Sequence, residues 1–130
     1  MRYLGVDFGL RKIGLAISEG ELVSLFGIIY VKDKEDAVNK IRDIVKREGI
    51  DQLVVGLPES GIRSAVLKFI TQLKLEIPVE TIEETLTSQK AKEQMIELGI
   101  KRKKRREEDA YSASEILQNY LDNKKSARHG

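Results

Sequence analysis

The stretch YLGVDFGLRKIGLAIS, residues 3–18, decides the fold because it holds two apolar runs, a carboxylate and a glycine turn. The first apolar run leads directly to Asp7, and the second follows a turn around Gly9. Two short apolar runs on either side of a tight turn are typical of paired antiparallel strands, which we expect over 2–7 and 12–18. Charged residues are rare in buried strands, so the acid that ends the first strand needs a chemical explanation.

The remainder of the chain alternates between helical and extended patterns. Apolar residues at helical spacing predict helices at 35–48, from Ile62 to Leu73, from Thr87 or Ser88 to Gly99, and at about 107–121. Extended apolar patterns predict further strands at about 22–31, at Leu53–Leu57 and at Ile77–Ile82. This order predicts an α/β protein with a ribonuclease H-like, three-layer fold around a mixed five-stranded sheet. We expect one domain over 1–121 and a polar, disordered tail over 122–130.

Composition narrows the class of protein. A chain of 130 residues with 41% hydrophobic residues is large enough for one packed core. It has no cysteine, which excludes disulfides and thiolate metal sites and favours the cytoplasm. No apolar run approaches the length of a membrane span, so we expect a soluble protein.

The positive charge is concentrated in one segment. The net charge is +2, yet without residues 101–106 the chain has 17 basic and 21 acidic side chains. The segment consists of Lys101, Arg102, Lys103, Lys104, Arg105 and Arg106. Clustered Lys and Arg bind nucleic acid by releasing condensed counterions from its phosphates, although a solvated loop would look the same in the sequence.

Acidic residues occur where the predicted elements end or begin. Asp7 ends the first strand, Glu83 and Glu84 follow the last strand, and Asp109 lies in the first turn of the last helix. Ligands gather beyond the carboxyl ends of parallel strands, so the first three acids are expected at one edge of the sheet. Asp109 shares a helix face with apolar Ala113. Taken singly, each glutamate is also consistent with a solvated loop, and Asp109 with a helix cap or an ion pair to the basic segment.

Four segments, in order, resemble the motifs of the YqgF family, also called RuvX or RuvC-like Holliday junction resolvases. They are GVDFG with RKIGLAIS at 5–18, VVGLP at 54–58, EETLTS at 83–88, and DAYSA with ILQ and YL at 109–121. The resemblance implies a hydrolase of ribonuclease H-like fold that cuts phosphodiester bonds, with 5′-end processing of pre-16S rRNA in ribosome biogenesis as the expected role. Resolution of branched DNA is the alternative.

The resemblance also implies the site. Asp7, Glu84 and Asp109 match the acidic positions of the family and are expected to be the catalytic residues and metal ligands. Thr85 stands where the family usually has Arg, and the loop Glu59-Ser60-Gly61 is shorter than usual, which affects substrate handling. Whether Glu59 or Glu83 joins the site is left open.

Three separated carboxylates suit phosphodiester hydrolysis. Mg²⁺ or Mn²⁺ takes hard oxygen ligands, and two such ions can activate water and neutralise the phosphate. Asp7 would bridge the ions, and the other two acids would hold one ion each. We assign Arg11, Lys12 and the basic segment 101–106 to contacts with nucleic acid, rRNA precursor or branched DNA.

Two other classes of function fit parts of the sequence. The spacing of Gly9 and Gly14 behind Asp7 also occurs in the phosphate-binding hairpin of actin-like and sugar-kinase ATPases, which need a second domain to close over nucleotide. The fold and the basic segment alone would make a catalytically silent RNA-binding scaffold. Either a monomer or a homodimer is compatible with the sequence, although symmetric cutting of a four-way junction would need a dimer.

Overall fold

The computed structural model describes residues 1–84 and 108–129, with side chains from 110 to 124 in the second segment. The helix predicted from Thr87 or Ser88 to Gly99, the basic segment 101–106 and Thr85 lie outside the described residues. The first segment contains five strands and two helices, and the second contains one long helix.

The sheet has five strands in the order β3-β2-β1-β4-β5. They are β1 (Arg2–Asp7), β2 (Lys12–Glu19), β3 (Leu22–Tyr30), β4 (Gln52–Pro58) and β5 (Val79–Glu84). The first three form an antiparallel meander, whereas β1 pairs in parallel with β4, and β4 with β5. The predicted mixed five-stranded sheet is confirmed.

Two helices cover one face of the sheet. They are α1 (Lys34–Arg47) and α2 (Arg63–Leu73). Helix α1 begins where Asp33 Oδ1 accepts a 2.8 Å hydrogen bond from the Asp36 amide, which satisfies one of the unpaired N–H groups of the first turn. Alternate residues of β1, such as Leu4 and Val6, are fully buried against this layer.

The third helix, α3 (Glu108–His129), covers the opposite face. Its side of the core contains, from the sheet, Tyr3, Ala16 and Val54, and from the helix, Ala113, Ile116, Leu117 and Leu121. The three-layer arrangement is therefore confirmed, and the central strand β4 is buried on both faces, as its apolar run at 53–57 indicates.

Helix α3 runs antiparallel to β1 and β4. Near its far end, Lys124 Nζ donates a 3.1 Å hydrogen bond to the Tyr3 hydroxyl, and Tyr120 accepts a 2.6 Å bond from Gln52 Nε2. Tyr3 and Gln52 are register partners near the beginnings of their strands. The helix N-terminus therefore points toward the carboxyl ends of β1 and β4.

Two element boundaries differ from the sequence prediction. Strand β5 was expected over Ile77–Ile82 but runs over Val79–Glu84, because Leu57 and Pro58 of β4 pair with Glu83 and Glu84. These two acids thus belong to the strand instead of following it.

The last helix was expected to end at 121, with a disordered tail over 122–130, yet α3 continues to His129. The segment 122–129 contains no Gly or Pro, and Lys and Arg are good helix formers that interact favourably with the C-terminal end of the helix dipole. Among the helices that the structure describes, none is long and apolar enough to cross a membrane.

Candidate active site

Asp7 is the last residue of β1 and faces α3. Side chains alternate between the two faces of a strand, so Tyr3, Gly5 and Asp7 share one face. Gly5 lies directly under α3, since a Cβ added there would come within 2.9 Å of the Ala113 carbonyl oxygen and of Leu117 Cβ. Asp7 continues this row to the edge of the sheet, where it is half-buried.

Glu84, the last residue of β5, faces α3 as well and reaches across to β4. It is the register partner of Pro58, but its side chain lies over Gly56, where an added Cβ would be 2.9 Å from both Glu84 Cγ and Cδ. The parallel register of Val6 with Val55 places the next pair, Asp7 and Gly56, side by side. Glu84 therefore brings its carboxyl group onto the strand that borders Asp7.

The backbone of Asp109 lies at the same edge. Asp109 is four helical residues before Ala113, about 6 Å along the axis, and Asp7 is two strand residues beyond Gly5, about 6.6 Å along the strand. Because Ala113 lies over Gly5 and the two elements are antiparallel, both acids are at the same height. The Asp109 side chain is outside the described residues, so its place in the site stays a prediction.

Glu83 faces the other layer and is paired. Its carboxylate accepts two hydrogen bonds from Arg63 of α2, at 2.8 and 3.0 Å, and Arg63 also donates to the Pro58 carbonyl at 3.0 Å. Hydrogen bonding to the guanidinium lowers the pKa of the Glu83 carboxyl below its ordinary value of 4.5 and raises the pKa of Arg63. The neighbouring Glu59 is exposed.

This ion pair joins the ends of β4 and β5. Anchoring Glu83 on the α2 side orients Glu84 to the α3 side, because successive strand residues point to opposite faces. Arg63 was not among the residues singled out from the sequence, since the partner it binds lies on another element far along the chain.

Two cations lie at the same edge as Asp7. Both are exposed: Arg11 ends the connection between β1 and β2, Lys12 begins β2, and Asp7 pairs with Gly14 across that connection. The other predicted contacts with nucleic acid, in the segment 101–106, lie outside the described residues. The part of the charged edge that is described therefore presents acids on the α3 side and exposed cations where the β1–β2 connection meets β2.

Among the side chains that the structure describes, no three acids or histidines lie close enough together to hold a metal ion. Two of the three predicted ligands, Asp7 and Glu84, are described and lie at one edge of the sheet. The side chain of the third, Asp109, lies outside the described residues. The described residues thus give two carboxylates and a helix terminus directed toward them.

Comparison with known proteins decides the family. The sequence model of RuvX, described as Holliday junction resolvase, matches residues 1–123. The chain belongs to the RuvX family. The resemblance read from the four motifs is thereby confirmed.

Relatives of this RuvX chain match it over nearly their whole length. A protein of Chloroflexus aggregans is 38% identical over 92% of both chains, and one of Caldanaerobacter subterraneus is 37% identical over 98% of this chain and 100% of its own. A protein of Natranaerobius thermophilus is 32% identical over 94% of both. All three carry the name "Putative pre-16S rRNA nuclease".

Solved structures share the fold of this RuvX chain. The fowlpox virus Holliday junction resolvase superposes with a TM-score of 0.64 at 13% identity, covering 95% of this chain and 99% of that one. Thermus thermophilus RuvC with a Holliday junction substrate gives 0.61 at 14% identity, covering 97% and 96%. At this level of identity the likeness establishes the ribonuclease H-like fold.

Proposed function

We propose that this protein is a metal-dependent nuclease that hydrolyses phosphodiester bonds during 5′-end processing of pre-16S rRNA. One observation carries the proposal: Asp7, Glu84 and the N-terminal turn of α3 converge on one edge and one face of the sheet. Membership of the RuvX family and the names of the relatives support the same activity. Such an activity belongs in the cytoplasm.

The donor set fits Mg²⁺ or Mn²⁺. Carboxylate oxygens are the ligands that these hard cations prefer, and Mg²⁺ needs only a few protein ligands when substrate phosphate and water complete its shell. Asp7, Glu84 and Asp109 would hold the ions. When bound, the ions would supply a water of lowered pKa and neutralise charge on the phosphate.

The protein's own residues prepare this edge for an anionic substrate. Asp7 and Glu84 are half-buried and held at strand ends, so their positions are fixed by the hydrogen-bonded sheet. Without a counter-charge, two neighbouring carboxylates repel each other and repel phosphate. Arg11 and Lys12 beside them, together with the segment 101–106, would attract the backbone of the nucleic acid.

Branched DNA is the second candidate substrate. The family description names Holliday junction resolvase, and that description matches almost the whole chain. Both substrates require the same chemistry at the same carboxylates, so they differ in what the surrounding surface binds. A junction cut symmetrically would also require two copies of the chain.

The test is a cleavage assay with purified protein on a pre-16S rRNA fragment that carries its 5′ extension, and on a four-way DNA junction. Each substrate is incubated with Mg²⁺, with Mn²⁺ and with EDTA, and Asp7→Asn serves as the control for contaminating nucleases. We expect metal-dependent cleavage of the rRNA fragment by the wild type alone. Cleavage of the junction only would favour the resolvase, and binding of rRNA without any cleavage would favour an RNA-binding scaffold.

A further inference from the structure

Gly56 occupies the point where Glu84, Ile116 and β4 meet. A Cβ built on Gly56 would lie 2.9 Å from both Cγ and Cδ of Glu84, and still closer to Ile116 Cδ1. At distances below 3.0 Å something must shift, and the atoms here are the ends of two flexible side chains, so a side chain at position 56 would displace Glu84, Ile116 or both. Gly56 is itself buried within β4, where a glycine gives less stability than a β-branched residue.

The backbone of this position does not require glycine. Within residues 1–84, the glycines with positive φ are Gly20, Gly27, Gly49 and Gly61, and Gly56 is not among them. Regular pairing continues through Gly56, which is the register partner of Ile82. The obstacle to a side chain at position 56 is therefore steric, because Glu84 and Ile116 fill the space above the strand.

We propose that Gly56 is a positioning residue of the carboxylate site: its missing side chain leaves the channel through which Glu84 crosses β4 toward Asp7. Glu84 begins on β5 opposite Pro58, whereas Asp7 lies on β1, on the far side of β4. Only by lying flat over β4 does the Glu84 side chain come beside Asp7. Ile116 of α3 closes the channel from above. This role rests on the proposed function, because it explains how two ligands on non-adjacent strands hold metal together.

The substitution that tests the role is Gly56→Ala in an Ile116→Val background. Valine lacks the Cδ1 atom that meets the added methyl group most closely, so the conflict that remains is the one with Glu84. Manganese affinity is measured by titration of the apo-protein without nucleic acid, followed by the rate of cleavage at saturating Mn²⁺. We expect affinity for Mn²⁺ to fall about 10- to 100-fold, as for other residues that orient metal ligands, with binding of nucleic acid in EDTA unchanged.

Ile116→Val alone is the matched control, and it is expected to keep the wild-type affinity for Mn²⁺. Thermal unfolding separates the proposed role from a purely structural one, which would lower the melting temperature of the double variant and leave metal affinity unchanged. A lower melting temperature with unchanged affinity for Mn²⁺ would overturn the inference about Gly56. It would leave the nuclease activity of the wild type unaffected. If the wild type neither bound Mn²⁺ nor cleaved nucleic acid, the proposed nuclease function itself would be contradicted, whatever the variants showed.

A measurement on the wild-type protein keeps the inference testable if the double variant does not fold. Glu84 Cδ and Ile116 Cδ1 surround the same point above Gly56, so a paramagnetic ion held by Glu84 must lie close to that methyl group. Titration with Mn²⁺ should broaden the methyl NMR signal of Ile116 much more strongly than that of Ile41, which is buried in the opposite layer. Mg²⁺ is the diamagnetic control. Tight binding of Mn²⁺ without broadening at Ile116 would contradict the inference.

Discussion

At the scale of single residues, the position of Asp7 combines burial with charge. It continues a row whose earlier members, Tyr3 and Gly5, are buried against α3, and it stands beside the strand on which Glu84 lies. Neighbouring carboxylates repel each other unless a cation lies between them. The same residue is therefore expected to contribute to catalysis and to reduce the stability of the metal-free protein.

Asp7→Asn should abolish metal-dependent cleavage and raise the melting temperature of the metal-free protein. Asparagine keeps the shape of the side chain and removes one charge of the repelling pair. A gain of about 1 kcal/mol would raise the melting temperature by a few degrees in a domain of this size. Thermal unfolding in EDTA measures this gain, and the cleavage assay measures the loss. An unchanged or lower melting temperature would argue against repulsion at the site.

Asp109→Asn distinguishes a metal ligand from a helix cap at the start of α3. Asparagine caps helices as well as aspartate, so a capping role predicts near-normal stability and near-normal cleavage. A metal-ligand role predicts normal stability and normal binding of nucleic acid, with most of the cleavage lost and partial recovery at high Mn²⁺. The measurements are a metal titration of cleavage and thermal unfolding of both proteins. Normal turnover in the variant would remove Asp109 from the site.

At the scale of secondary-structure elements, the pair of Arg63 and Glu83 connects α2 to the ends of β4 and β5. The pair is partly exposed, so its effect on global stability is small. Its effect on local geometry is larger, because Arg63 binds both the Pro58 carbonyl and the carboxylate next to Glu84.

Arg63→Gln should remove one component of the acid sensitivity of the fold. The folded-state pKa of Glu83 is lowered by Arg63, so the stabilisation from this pair is complete above pH 4.5 and is lost as the pH falls through the lowered value. The difference in unfolding free energy between wild type and variant should therefore be greatest near pH 7 and shrink toward pH 3. Chemical denaturation at several pH values measures it. A difference independent of pH would show that the ion pair does not stabilise the folded protein.

Most elements could be predicted from the sequence because their apolar periodicity is local. The strand of Leu53–Leu57 and the helix of 35–48 were found in this way, within one or two residues at each end. Boundaries set by pairing were less predictable: β5 extends to Glu84 because β4 provides partners that far. The same limit applies to the site, where the sequence singled out Asp7 and Glu84 as separate acids. Their approach across Gly56 depends on contacts between segments distant in the chain, which no local pattern encodes.

At the scale of the whole molecule, the largest concentration of positive charge along the sequence, residues 101–106, is separate from the acids proposed to hold metal. The acids proposed to hold metal lie at the carboxyl edge of the sheet, and the basic segment 101–106 lies between two of them in the sequence. A separate cationic segment can bind phosphate without neutralising the carboxylates that the metal requires.

Replacement of residues 101–106 by Ser and Gln should weaken the binding of nucleic acid and reduce its dependence on salt. Each phosphate contact that is lost lowers the slope of log K against log [salt] by roughly 0.7–0.9. The rate at saturating substrate should change much less, since the carboxylates are intact. Binding titrations at several salt concentrations provide the measurement. An identical slope in the variant would make the segment a solvated loop.

The antiparallel packing of α3 against β1 also has a consequence during protein synthesis. Asp7 emerges from the ribosome early, whereas the helix that covers Tyr3, Ala16 and Val54 is translated after every strand. A nascent chain that stops short of α3 leaves this apolar layer exposed, and exposed apolar layers are prone to aggregate unless chaperones cover them. With the proposed carboxylate set, it would also lack one ligand for metal. If Asp109 is a metal ligand, an unfinished copy of the protein would be inactive as a nuclease while it is still on the ribosome.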